Sequence, residues 1–166
     1  MSFDPSYKII DIIERISFNQ LPKGFYEKLW AIEQYLESSD LELPLLELIR
    51  FRVSQINDCD YCLDMHFKIA KAAGETDLRL YSLSAWRKAP YYSEKERAAL
   101  DYAEKLTQLS SQKTTQADFE ALQAFFNIEQ IANLPLAISQ INTWNRVTES
   151  FRFEPGKFEV PAEATA

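Results

Sequence analysis

Apolar side chains in this chain recur three and four residues apart, and few residues interrupt them. Phe25, Leu29, Ile32 and Leu36 form one helical stripe; Leu45, Ile49, Val53 and Ile56, opening after Pro44, form a second. Glycine, which weakens helices and supplies tight turns, occurs only three times in 166 residues, well under the usual ~7%. Strand-like alternation is scarce. A third helix is predicted over about residues 59–73, stopped at Gly74, since glycine tolerates the positive φ of a helix end. A short helix follows near residues 76–83. Ser93 and Glu96 have capping-box spacing, and the helix they open carries Ala99, Tyr102, Leu106 and Leu109 on one side. Thr115 is placed to cap a helix reaching Phe125, and a last long helix carries Ile131, Leu134, Ile138 and Ile141 to about Ser150. Pro135 inside it predicts a kink or a restart. Residues 151–166 predict an extended tail, and the Glu-rich run from Glu94 to Glu104 predicts a solvated helix face.

The pattern predicts an all-α, single-domain antiparallel helical bundle over residues 1–166, with a core over about 20–150. With 46% hydrophobic and 13% aromatic residues, a sizeable core forms without disulfide staples and global disorder is excluded. A net charge of -7 with no basic stripe argues against nucleic acid or an anionic membrane surface as partner. No apolar stretch approaches the ~20 residues of a membrane span. The opening Met1-Ser2-Phe3-Asp4-Pro5 lacks a secretory pattern, so the expected location is cytoplasmic. In that compartment disulfides are mostly transient and functional.

The only two cysteines and the only histidine lie together in Cys59-Asp60-Tyr61-Cys62-Leu63-Asp64-Met65-His66. In a helix starting at Cys59 and capped by Asn57 or Asp58, Cys59 and Cys62 share the first turn. Their Cα atoms then lie ~5–6 Å apart, within reach of a disulfide. His66 follows Cys62 by four residues, one turn away, where an imidazole can take a thiol proton and leave the nucleophilic thiolate. Helix amides lower the thiol pKa, while Asp58, Asp60 and Asp64 push it up; the sequence leaves that balance open. Glu47 stands in an otherwise apolar helix. If the chain reverses near Asn57-Asp58, Glu47 lies ~15 Å down one arm and His66 ~12 Å down the other. The two then come level, and Glu47 can orient His66 or relay its proton. A salt bridge from Glu47 to Arg50 or Arg52 is the simpler reading.

These residues resemble the signature of the AhpD-like alkylhydroperoxidases of the carboxymuconolactone decarboxylase superfamily. The likeness rests on Glu47 followed by Cys59-x-x-Cys62-x-x-x-His66. Ser54-Gln55-Ile56-Asn57, Trp86-Arg87, Glu96-Arg97-Ala98-Ala99-Leu100 and Asn142-x-Trp144-Asn145-Arg146 add to it, over roughly residues 20–150. The resemblance implies an all-helical fold assembled as a homo-oligomer (trimer or hexamer) with its site near subunit contacts. It implies that Cys62 attacks a hydroperoxide, Cys59 resolves the sulfenic acid to a disulfide, and His66 with Glu47 relays the proton. A lipoyl- or thioredoxin-type thiol or dithiol reductant would complete the cycle. Tyr61 departs from the best-studied members, which carry a second histidine there. Tyr61 and Asn145 are expected as supporting residues, by hydrogen bonding or packing.

The expected activity is therefore a cofactor-free and metal-free, CxxC-dependent peroxidase-type oxidoreductase. One alternative is a carboxymuconolactone decarboxylase-like enzyme using His66 and Glu47, with incidental thiols. Another is a non-catalytic CxxC redox sensor or interaction module. Zinc on Cys59, Cys62 and His66 is a third, though structural zinc sites usually take more Cys or His than this chain owns. Two buried, inert cysteines are the bland reading. Trp86 and Trp144 are expected in the core or at a subunit contact.

Overall fold

A computed structural model describes residues 13–160, and within them the chain is helical with no strand. Seven α-helices follow in order: α1 (Phe25–Glu37), α2 (Leu43–Ile56), α3 (Asp60–Ala72), α4 (Asp77–Ser82), α5 (Glu94–Thr107), α6 (Gln116–Gln123) and α7 (Ile128–Phe151). Short 3-10 turns occupy Phe18–Gln20 and Leu83–Ala85. The local signals act as their chemistry requires. Ser93 and Thr115 accept from the N3 amides of α5 and α6, and Asn127 does the same for α7. Gly74, at φ +93°, follows the last turn of α3.

Helix α2 is the hub, packed against α3, α5 and α7. Leu45, Leu46, Ile49 and Val53 of α2 meet Ala99 and Ala103 of α5 and Leu134, Ile138 and Ile141 of α7 in the larger core. A second cluster joins Leu48 and Phe51, on the other side of α2, to Ala70, Leu80, Leu83, Trp86 and Leu100. Because α2 is enclosed all round, its charged residues Glu47 and Arg50 are buried with it.

Four details differ from the sequence reading. Helix α7 runs unbroken through Pro135, so no restart occurs. Helix α5 ends at Thr107, which leaves Leu109 beyond it and 47% exposed rather than in the stripe. Glu104 is no solvated residue: it is buried, accepting from Arg52 Nε at 2.6 Å and Trp86 Nε1 at 2.9 Å, with Arg87 also paired to it. The tail, as far as Val160, folds back onto its own chain. Asp64 accepts from the Gly156 amide at 3.0 Å, and Lys68 Nζ donates to the Phe158 carbonyl at 2.9 Å. Phe153 is buried, stacked on Phe18 with centroids 4.3 Å apart. Residues 161–166 lie outside the described part.

Candidate active site

The site is built on the reversal between α2 and α3. The Cys59 amide donates to the Ser54 carbonyl at 3.1 Å, the long closing bond of a helix C-terminus that requires a left-handed residue just before it. Asp58 is that residue, at φ 52°, a conformation aspartate tolerates better than most. Three residues, Asn57, Asp58 and Cys59, therefore turn the chain, and α2 and α3 lie side by side and antiparallel.

The cap of α3 is not Asn57 or Asp58. It is Cys59 itself, whose sulfur accepts from the Cys62 amide at 3.4 Å, and the helix starts one residue later than the spacing suggested. Cys59 and Cys62 are both free thiols and both buried, 1% and 0% exposed. The hydroxyl of Thr148, on α7, sits between them: Oγ1 is 3.1 Å from Cys59 Sγ and 3.3 Å from Cys62 Sγ.

The thiols are not equivalent. The Cys62 thiol donating to Cys59 draws the Cys59 pKa down to about 7 against the opposing effect of burial, helped by Thr148, the Cys62 amide and Asn145. Cys62, by donating to that sulfur, by burial and by facing its charge, is pushed up. The pair therefore gives up its first proton more easily than an ordinary thiol, and its second less easily, at the amino end of α3. The neighbouring aspartates do not dominate.

One helical turn further along, His66 is buried, and its Nδ1 lies 2.8 Å from Glu47 Oε2. Burial alone would raise the Glu47 pKa. The charge and hydrogen bond of His66, together with those of Arg50, outweigh it and hold Glu47 below the usual carboxylate range. An ionised carboxylate only accepts, so Nδ1 carries a proton, and Nε2 is the ring nitrogen left to exchange one. Nε2 is buried and has no hydrogen-bond partner among the described residues. Both contacts expected of Glu47 are present: Oε2 meets His66 Nδ1, and Oε1 accepts from Arg50 Nη1 at 2.7 Å.

That arginine extends the network. Arg50 Nη2 reaches Glu33 Oε2 at 2.5 Å, and Glu33 Oε1 accepts from Trp144 Nε1 at 2.7 Å. A line of buried polar groups runs from α1 through α2 to α3. Asn145 fastens α7 to the reversal, accepting from Asn57 Nδ2 at 2.8 Å and donating to Ser54 Oγ at 3.1 Å. Tyr61 packs its ring edge-on against Phe153, centroids 5.6 Å apart. No three His, Cys, Asp or Glu side chains among the described residues converge as metal ligands would. No helix among them is long and apolar enough to cross a membrane.

Thr148, Arg50 and Glu33 are the members that sequence reasoning did not assign to the site. Periodicity held a signal for the first. Ile138, Ile141 and Asn145 define an inward face of α7, and one further step of three reaches Thr148.

The chain resembles known proteins in sequence and fold. A sequence profile of the carboxymuconolactone decarboxylase family matches residues 21–105. An uncharacterized protein of Bacillus subtilis, YdfG, is 35% identical over 135 residues, covering 81% of this chain and 92% of that one. Among solved structures, a protein of unknown function from Agrobacterium tumefaciens, described as a candidate AhpD antioxidant defence protein, is 34% identical. It superposes with a TM-score of 0.83 over 88% of this chain and 100% of that one. An uncharacterized peroxidase-related protein from a Silicibacter species is 28% identical with a TM-score of 0.70, covering 84% of this chain and 71% of the other.

Proposed function

Since the chain belongs to the carboxymuconolactone decarboxylase family, with an AhpD-like fold, we propose that it reduces hydroperoxides through a Cys59–Cys62 disulfide. The observation that carries this reading is the pair of buried thiols meeting at one hydroxyl, on the helix that also holds an imidazole of fixed tautomer. Cys62 is the attacking sulfur and Cys59 the resolving one. The resting pair shares a proton between the sulfurs. Cys62 becomes the nucleophile when its proton crosses to Cys59 or leaves through His66, whose free Nε2 is the base.

The thiolate attacks the terminal peroxide oxygen, the O–O bond breaks, and the leaving alkoxide takes a proton to become an alcohol. Cys62 is left as a sulfenic acid. Attack by the Cys59 thiolate forms the S–S bond and expels hydroxide, which is protonated to water. The balance is two thiols and one hydroperoxide giving one disulfide, one alcohol and one water. A dithiol reductant of the lipoyl or thioredoxin type returns the pair to its starting state. Glu47, with Arg50 and Glu33 behind it, positions His66. Both sulfurs are covered, so a hydroperoxide reaches them when the covering side chains part.

The chain also acts as a homo-oligomer in this reading, a trimer or hexamer. Half-exposed aromatic residues on α1, Tyr26, Trp30 and Tyr35, are the surface such an assembly would hide. Light scattering on the eluted protein should give the mass of three or six chains, and a monomer ends that part of the proposal.

The catalytic assignment is tested by two serine variants. Cys62→Ser should abolish hydroperoxide consumption. Cys59→Ser should complete one stoichiometric turnover and leave a sulfenate that a sulfenate-selective trap, a cyclic 1,3-dione, adds to the intact mass. Equal residual turnover in both variants overturns the division of roles, and undiminished turnover in the double variant overturns thiol chemistry altogether.

A further inference from the structure

We propose that Thr148 is a catalytic residue of the thiol pair, a single hydroxyl that donates its hydrogen bond to whichever of the two sulfurs is anionic. The proposal rests on the reading that Cys59 and Cys62 cycle between dithiol and disulfide. Its argument begins with what a hydroxyl can do: it has one proton to give and two lone pairs to receive with.

Thr148 Oγ1 lies 2.8 Å from the Trp144 carbonyl and 3.3 Å from that of Asn145, both of which can only accept. In the uncharged dithiol, the proton therefore points back at the turn below, as helical threonines commonly do. The lone pairs then face the sulfurs, which approach at 3.1 Å and 3.3 Å and can donate S–H. When one sulfur loses its proton, the hydroxyl rotates and donates to the anion. The rotation orphans nothing, because the Trp144 carbonyl keeps its backbone bond within α7. What it gains is a hydrogen bond to a charged acceptor in a buried site, roughly twice as strong as a neutral one.

Position gives the residue its purpose. The hydroxyl is within 0.2 Å of equidistant from the two sulfurs. Both chemical steps proposed above require a thiolate, first on Cys62 and then on Cys59. A donor fixed on one sulfur would favour one step and oppose the proton movement that enables the other. A donor that serves both lets the charge pass between them. Thr148 lies on a different helix from the cysteines, so the site is complete only when α7 is docked against the α2–α3 reversal. Asn145, one turn earlier, holds it there through Asn57 and Ser54.

The test uses the full reduced chain and no peroxide. Iodoacetamide alkylation is followed by intact mass as a function of pH, in the wild-type chain, Thr148→Val and Thr148→Ser. Valine keeps the branching and removes the hydroxyl; serine keeps the hydroxyl. The expectation is that Thr148→Val moves the midpoint of the first alkylation upward. Its rate near neutral pH falls about tenfold, as loss of one charge-assisted hydrogen bond requires. Thr148→Ser should restore the wild-type profile. A Thr148→Val profile that superposes on the wild type overturns the proposal, as does a Thr148→Ser profile as shifted as that of valine. Circular dichroism monitors folding, and Thr148→Ala carries the same expectation where valine disturbs the packing. A wild-type chain that alkylates readily yet consumes no hydroperoxide refutes the peroxidase reading alone, since the threonine's effect is measured on the thiols themselves.

Discussion

Replacing Arg50 by methionine removes the one cation in the buried line from Glu33 to His66 while keeping an apolar stem of similar reach. Arg50 is 4% exposed and holds Glu47 at 2.7 Å and Glu33 at 2.5 Å. In Arg50→Met, Glu47 keeps only His66, and Glu33 keeps only the Trp144 N–H. Removing one partner from a buried ion pair costs about 3–5 kcal/mol, because a charge remains without compensation. That is a large share of the roughly 5–15 kcal/mol that holds a domain together. For a chain of this length it corresponds to a fall in Tm of roughly 6–20 °C.

The pH dependence carries the argument. Glu47 is held ionised in part by this guanidinium, so its pKa rises in the variant. The penalty is full at neutral pH and shrinks as acid protonates the carboxyl, because a neutral acid needs no cation. Thermal unfolding followed by circular dichroism near pH 7 and near pH 4.5 should show a deficit clearly smaller at the lower pH. Adding Glu33→Gln should recover part of the loss, since it removes one of the two facing charges. A deficit under about 2 °C near neutral pH, or one of equal size at both pH values, refutes the view that this network is an electrostatic unit.

Two further outcomes follow from the same groups. Glu47→Gln keeps the shape of the side chain but not the charge that holds His66 ready to accept a proton. Hydroperoxide turnover should fall about 100-fold with the alkylation midpoint of Cys59 unmoved, since that acidity draws chiefly on Cys62, Thr148 and Asn145; unchanged turnover defeats the relay. Glu47, Glu96, Glu104 and Asp118 all have carboxyls held below their ordinary values once burial is outweighed by their cationic and hydrogen-bonding partners. Such groups contribute their full stability above the unfolded carboxyl range, about pH 4, and lose it as pH falls through their folded values. Tm should drop steeply below about pH 4; a midpoint insensitive to acid removes these pairs from the account of stability.

Much of this molecule could be read along the chain because the signals are local. Helix periodicity, the capping box of Ser93 and Glu96, the Thr115 cap and Gly74 depend on residues within four positions of one another, and the α-helix obeys rules of that range. The juxtaposition of Cys59, Cys62 and His66 is of the same kind. So is the meeting of Glu47 with His66 across a three-residue reversal, where length along two arms sets the level. The misses share a cause as well. Pro135 read as a kink or a restart because its missing amide costs one bond, while packing along the rest of α7 keeps the helix continuous through it. Glu104 read as solvated because its neighbours are charged; Arg52 and Trp86, far away in sequence, remove it from water.

The sequence by itself determined that a bundle forms and that two thiols and an imidazole share its third helix. Only the tertiary structure decided how those groups behave. How readily the thiol pair ionises depends in part on Thr148 and Asn145, contributed by a helix more than 80 residues further on. Glu47 is held ionised by His66 and, behind it, by an arginine whose other partner lies on α1. The physical reason is range. Backbone conformation is settled by neighbours in the chain, whereas acidity is settled by burial and by whatever charges and donors folding brings within a few ångströms.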